Sequence, residues 1–596
     1  MSKNQLRSSQ VVTTFGPGAM VDLPDTSVII AGLDSWKYDP ARLPTVQEPR
    51  LVGKLRTLLD VDTLTLRTPP PASDQEFGIR PQIVAWRFPE WFIVQKAQQT
   101  QKGFRRRRLV HLNSLDGMKY READRTTQAV VPVRFVRACK KGHVGDIDWR
   151  SFVHGTEKGC VRELWMEERG TSGDLDEIWI VCECLAERAM SQAARRELRA
   201  LGSCNGNRPW LGALTKEPCD QANRLLIRSA SNAYFAQSMS VISIPDTRRP
   251  IDEAVNSLWE DFLVDVDTQE DLTKMRRKPT VAAKIEGMSD DDVFAAIVRR
   301  RDGQDGADRP VKEVEFEALS EAKEELGFDS PDGDFFARSL PEAIWSADWM
   351  SPVARVVLVH RLREVIAQVG FTRFEAAGPD IQGELELDVE RAPLAIEASW
   401  LPAVENRGEG IFMQFKHEAM SEWLKKPTLG ERGLDLLRGY KRWSEEKGST
   451  RVFPGLQYYL LHSLSHLLLT VISLDCGYPD SSLRERVYAA PGRYGILIYT
   501  GSTDAEGTLG GLVQAGREIK RYMLLALERG MLCSNDPICA QHVPAEHDQR
   551  PLLGSACHGC LLIAETSCEQ ANAFLDRSLV VQTIEGLGTQ FFETVL

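Results

Sequence analysis

Cysteine is scarce in this chain, with twelve among 596 residues. That is far too few for a secreted disulfide scaffold. Long apolar runs are also lacking. The longest, residues 458–474, is short for a bilayer span and is broken by His462, His466 and three serines; it reads as a buried helix, and no membrane contact is expected. The first 23 residues hold no uninterrupted apolar stretch of the signal-peptide kind. A cytoplasmic protein with reduced thiols is the expectation. Positive charge is in deficit as well, with 73 Lys and Arg against 85 Asp and Glu and a net charge of -12. This excludes a protein that coats nucleic acid over its whole surface, while leaving room for a local basic groove. The densest basic run is Lys102 with Arg105, Arg106, Arg107 and Arg108, beside Phe104. It reads either as a solvated loop or partner contact, or as a loop that touches nucleic-acid phosphates.

The motifs of several enzyme classes are missing too. No G-x-x-x-x-G-K-[ST] sequence is present to cradle a triphosphate. None of the ten histidines has a lysine two places on, as a phospholipase-D-type nuclease needs. No G-x-S-x-G elbow occurs. His462 and His466 share a helix face, but a zincin would need Glu at 463, where Ser463 stands; the pair reads as core histidines. Gly507 to Gly511 resembles an anion-binding turn without its lysine, and reads as a tight helix entry. Glu405-Asn-Arg-Gly-Glu409-Gly is the polar cluster best suited to a metal-dependent nuclease. Its alternative reading is a turn held by an Arg407 ion pair.

What is present fits a mixed α+β, multidomain protein. Hydrophobic residues make up 42% and charged residues 27%, an ordinary globular composition. Residues 1–250 are rich in β-like runs (28–31, 83–88, 129–136, 178–181 and 241–244) separated by Pro and Gly turns. Residues 251–350 are charged and helical, with apolar residues at helical spacing in 252–266, 290–301 and 314–326. Residues 302–310 and 330–333 read as a linker and a turn. Residues 351–596 read as an α/β domain. It opens with a helix in which Ser351 and Pro352 begin the first turn, Val353, Val356, Val357, Leu362, Val365, Ile366 and Val369 form one face, and Gly370 ends it. A helix over 456–474, a strand over 495–500 and a helix over 512–530 follow.

The cysteines cluster. Six lie between residues 139 and 219, five between 533 and 568, and Cys476 stands alone as a core thiol. Cys557-His-Gly-Cys560 is a zinc knuckle, with Gly559 permitting the tight backbone. Tetrahedral zinc needs four ligands, and Cys533 and Cys539 offer the second pair, with Cys568 spare or replacing Cys533. In the first group, Cys182, Cys184, Cys204 and Cys219 read as closing one zinc-ribbon-like site, with Cys139, His143 and Cys160 as alternative ligands. Neither group carries the open position of a catalytic zinc.

The histidine helix, the block GILIYTGSTDAEGTLGGL at 495–512 and the block GSACHGCLLIAETSCEQANAFLDR at 554–577 resemble the MrfA-type zinc-binding (MZB) domain found at the end of certain DNA-repair helicases. The resemblance implies structural zinc on Cys533, Cys539, Cys557 and Cys560. RSSQVVTTFGPGAMVDLPD at 7–25, RFVRACKKGHVGDIDW at 134–149, RSASNAYF at 228–235 and ENRGEGIF at 405–412 extend it. Over most of its length the chain resembles the DrmB family of bacterial DISARM antiphage systems, which carries this domain without a helicase motor. That resemblance implies a non-catalytic role, a DrmA-like helicase as partner, and DNA binding as a heterodimer.

Overall fold

A computed structural model describes residues 7–593 apart from 24–25, 37–42, 71–82, 156–158, 246–248, 302–308, 323, 331–332, 377–378, 386–388, 448, 450, 502–509 and 545–549. Most of the linker at 302–310, part of the turn at 330–333 and most of the glycine turn before Gly511 therefore lie outside the described residues. The architecture is mixed α+β. The chain divides into two compact units, one of Met1–Ser240, Ile366–Gly378 and Leu385–Val404, the other of Val241–Val365, Pro379–Glu384 and Glu405–Leu596.

The first unit is built mainly from antiparallel strands, with Thr65–Arg67 pairing in parallel with Trp400–Pro402. Its largest sheet runs in the order Glu187–Ala189, Ile178–Cys182, Leu164–Glu168, Arg105–His111, Trp91–Val94, Thr127–Pro132, Lys119–Arg121 and Leu115–Asp116. Ile178–Cys182 alternates buried and half-buried residues, the period-two pattern of a strand with one face on a core. That core gathers Phe135, Trp149, Phe152, Leu164 and Ile180. A smaller sheet joins Val144–Gly145, Phe135–Ala138 and Arg224–Ile227.

The second unit holds a helical cluster with its own core, from Ile251 to Ile297. Helices Arg249–Leu258 and Asp290–Arg301 stand close to the ranges expected. A sheet whose strands include Phe336–Ser339, the first part of Val353–Thr372, the second part of Trp400–Phe415, Arg493–Thr500 and Leu483–Ala490 carries the other core. Against Leu483–Ala490 lies the helix Leu456–Cys476, from which fifteen residues are buried. It is the one helix among the described residues long and apolar enough to cross a membrane, and 78% of its apolar window is buried inside the protein. Helix Ile519–Met531 packs beside it.

One element overturns its sequence reading. Residues 353–369, read as an amphipathic helix, form the strand Val353–Thr372. Its residues from Leu362 onward are all buried. A strand covered on both faces carries a near-continuous apolar run, from which a helical spacing can be picked out by chance. The concentration of β-branched Val and Ile was the better signal. Gly370 does not end a helix: a Cβ there would lie 2.8 Å from the Ala392 carbonyl oxygen, so it marks a close backbone approach within the first unit.

Candidate metal centres

Cys533, Cys539, Cys557 and Cys560 meet in the second unit. The sulfur of Cys533 lies 3.4 Å from that of Cys557, Cys539 lies 3.7 Å from Cys560, and Cys557 lies 3.8 Å from Cys560. Thiolates on a tetrahedral zinc with bonds of about 2.3 Å would sit about 3.8 Å apart, so the set fits. The backbone is folded to serve sulfur. Asn535 N–H donates to Cys533 Sγ, Gly559 N–H to Cys557 Sγ and Cys557 N–H to Cys560 Sγ, at 3.3–3.4 Å. A side chain at Gly559 would meet Ser534 Oγ at 2.8 Å and Cys533 Sγ at 3.4 Å, which explains the glycine inside the knuckle. Asp536 holds the loop by accepting from Cys533 N–H and Ala540 N–H and by pairing with Arg577. A hydrogen bond with Cys560 and the nearby Arg577 guanidinium hold the Cys539 thiol down to about 5, against burial. A thiolate is thus ready for a cation. Cys568 belongs elsewhere.

The first unit contains two clusters where one was expected. Cys204 and Cys219 join Cys139 and His143, while Cys182 and Cys184 join Cys160 and His154. The four residues read as a single site therefore divide between two. In the first cluster Cys139 Sγ lies 3.3 Å from His143 Nδ1 and 3.9 Å from Cys219 Sγ, and Cys204 Sγ lies 3.5 Å from His143 Nδ1. The hairpin between Phe135–Ala138 and Val144–Gly145 brings Cys139 and His143 together through Gly142, at φ +83°. Glu217 meets His143 Nε2 at 2.6 Å and is itself held by Arg208 at 2.8 Å, an outer shell that orients the ring. The hydrogen bond with Cys139 holds Cys204 down to about 4 despite burial. In the second cluster Cys160 lies 3.6 Å from Cys182, and His154 Nε2 lies 3.2 Å from Cys184. His154 Nδ1 faces the Arg150 carbonyl at 2.9 Å. The tight Cys182-x-Cys184 spacing sits where the strand Ile178–Cys182 turns, with Leu185 at φ +77°. His154 escaped the sequence reading because it ends the helix Trp149–His154, and only its nearness to Cys160 hinted at it.

The basic run is a strand, not a loop. Arg105–His111 lies between Leu164–Glu168 and Trp91–Val94, with Gln98–Gln99 against its first residues. Arg107 pairs with Glu168 at 2.9 Å, Arg108 pairs with Glu163, and Arg106 and Arg108 stand over the Trp165 ring at 4.4 and 4.9 Å. Lys102 and Arg105 remain exposed.

Residues 405–410 are likewise strand rather than turn. Glu409 is 1% exposed and accepts from Gly510 N–H at 2.7 Å and Leu512 N–H at 2.6 Å, so it caps the helix Gly511–Arg517. Arg407 pairs with Asp334 at 3.1 Å. These carboxylates are spent on structure.

Fold and clusters together define a mixed α+β protein with sites fit for structural zinc. Residues 464–561 match the MrfA Zn-binding domain family, and residues 7–235 match a domain of unknown function, DUF8724. A relative described as DISARM protein DrmB, from Bacillus paralicheniformis, is 32% identical over 482 residues, which cover 78% of this chain and 83% of the relative. The chain belongs to the DrmB family. It is a zinc-binding component of a DISARM antiviral defence system.

Proposed function

We propose that this chain is a cytoplasmic, zinc-stabilised and non-catalytic partner of a DrmA-like helicase, and that the two bind DNA as a heterodimer. The observation that carries the reading is the donor count. The cysteine quartet and both first-unit clusters each bring four protein ligands together, so a tetrahedral ion held there has no place for a reacting water. The zinc ligands in this reading are Cys533, Cys539, Cys557 and Cys560 in one unit, and Cys139, His143, Cys204, Cys219, His154, Cys160, Cys182 and Cys184 in the other. DNA phosphates would be met by the basic run, through exposed Lys102 and Arg105 more than through Arg106, Arg107 and Arg108, whose guanidiniums are already paired or stacked.

Size-exclusion chromatography of the chain with its helicase should give a single co-eluting complex. DNA titrations should then show affinity rising when the helicase is added, with a steep salt dependence that softens in Lys102→Ala/Arg105→Ala. Failure to co-elute removes the main support. Magnesium-dependent cleavage of DNA by the pure chain would favour the nuclease alternative instead, although the capping role of Glu409 weighs against it.

A further inference from the structure

Cys568 is not a spare ligand of the cysteine quartet. It lies with His462, His466 and Glu485, and the four donor atoms all fall within 4.8 Å of one another. We propose that these residues form a further closed metal site, which takes a zinc ion inside the core of the second unit.

Three chain segments converge there. The helix Leu456–Cys476 supplies His462 and His466 one turn apart, the strand Leu483–Ala490 supplies Glu485, and the C-terminal segment supplies Cys568. His462 Nε2 lies 2.8 Å from Glu485 Oε1 and 3.1 Å from Cys568 Sγ, and His466 Nε2 lies 3.2 Å from the same Oε1. Both imidazoles and the Glu485 carboxylate are fully buried.

The outer contacts fix which atoms face inward. His462 Nδ1 faces the Phe574 carbonyl at 3.2 Å, and His466 Nδ1 faces the Leu561 carbonyl at 2.8 Å. A carbonyl only accepts, so each Nδ1 carries a proton and each Nε2 is the nitrogen turned toward Glu485. This is the arrangement by which proteins orient metal-bound histidine. Ser465 Oγ donates to Glu485 Oε2, while Oε1 faces the centre and also accepts the Glu569 N–H at 3.4 Å. Cys568 Sγ accepts from Gln570 N–H at 3.4 Å and Asn572 N–H at 3.2 Å, the same backbone device that serves Cys533 and Cys557.

Two ring nitrogens aimed at one carboxylate oxygen require positive charge there, brought either by a metal ion or by protons on the rings. A divalent ion supplies it with both rings neutral, and the carboxylate and thiolate cancel its charge. Without metal, two imidazolium ions with ring centroids 4.5 Å apart would have to share a site closed to water. Imidazole, thiolate and carboxylate together suit zinc, and four protein donors leave no open position, so the site is structural. It ties the C-terminal segment to the central helix.

Metal equivalents per full-length chain, counted by native mass spectrometry, test the site. Cys568→Ser and Glu485→Gln should each hold one equivalent fewer than the parent protein, and Cys557→Ser combined with Cys568→Ser two fewer. A folded Cys568→Ser variant with the parent count overturns the proposal. If the variants do not fold, the parent chain decides. Stripped and refilled with Co²⁺, it should take up one equivalent whose sulfur-to-cobalt charge-transfer band has single-thiolate strength. Uptake accounted for by three- and four-thiolate centres alone is the contrary result.

Discussion

Arg432 and Asp576 form an ion pair at 2.7 Å with their side chains 5% and 0% exposed. Asp576 also accepts from Ser555 N–H, Ser578 N–H and Ser578 Oγ–H, so one buried carboxylate holds several backbone turns in place. Removing it leaves a buried guanidinium without its counter-charge. Asp576→Ala should cost about 3–5 kcal/mol, seen as a lower midpoint in denaturant. Asp146 gives a second residue-scale expectation. Burial pushes its carboxyl up to about 6 from 3.8, although it accepts the Glu90 N–H at 3.1 Å. A raised carboxyl favours the protonated form in the folded state, so its contribution is complete below pH 3.8 and is lost as pH rises through 6. Stability measured between pH 4 and 6.5 should fall less steeply in Asp146→Asn than in the parent chain. At this scale the cysteines were legible because thiolate ligands come in short spacings. His154 and Glu485 were not: His154 ends a helix and shares no knuckle spacing with Cys160, and Glu485 stands on a strand far in sequence from the cysteines.

The helix Pro427–Lys447 carries Gly439 at a buried position. Helical propensity alone would make Gly439→Ala stabilising by about 1 kcal/mol. A Cβ there would lie 2.2 Å from the Pro551 carbonyl oxygen and 2.5 Å from Pro544 Cβ, contacts that backbone cannot easily yield. Gly439→Ala should therefore destabilise by about 1–3 kcal/mol, the usual cost of overpacking, and thermal melts check the sign. The same competition between local and tertiary terms explains which elements the sequence disclosed. Leu456–Cys476 was legible because its apolar run is too long for a strand. Val353–Thr372 was misread because central sheet position, which only the fold supplies, makes both faces apolar. The Arg105–Arg108 run was misread as loop because its charges are met from the neighbouring segment, where Glu168 pairs with Arg107, Glu163 pairs with Arg108 and the Trp165 ring lies under Arg106.

At the scale of the whole molecule, each unit has its own core and its own cysteine clusters. Ile366–Gly378 and Leu385–Val404 belong with residues far away in the chain, and such a division leaves no composition boundary along the sequence. The cysteine quartet lies beside the core that contains Cys539, Cys557 and Cys560 themselves, whereas Cys182 belongs to the core of the other unit. Structural zinc contributes directly to folding free energy, and its ligands must be deprotonated to hold it. A chelator should thus loosen both units, and acidification should act in the same direction. Loss of one quartet ligand should loosen only the unit that owns it. In Cys557→Ser, amide hydrogen exchange should accelerate in the helix Ile519–Met531 and through 553–580, while the strand Ile178–Cys182 keeps its protection. In Cys204→Ser the pattern should reverse, with exchange rising in Phe135–Ala138 and Arg224–Ile227 and unchanged in Ile519–Met531. Equal acceleration everywhere in either variant would mean that the clusters stabilise one cooperative whole rather than two separately cored units.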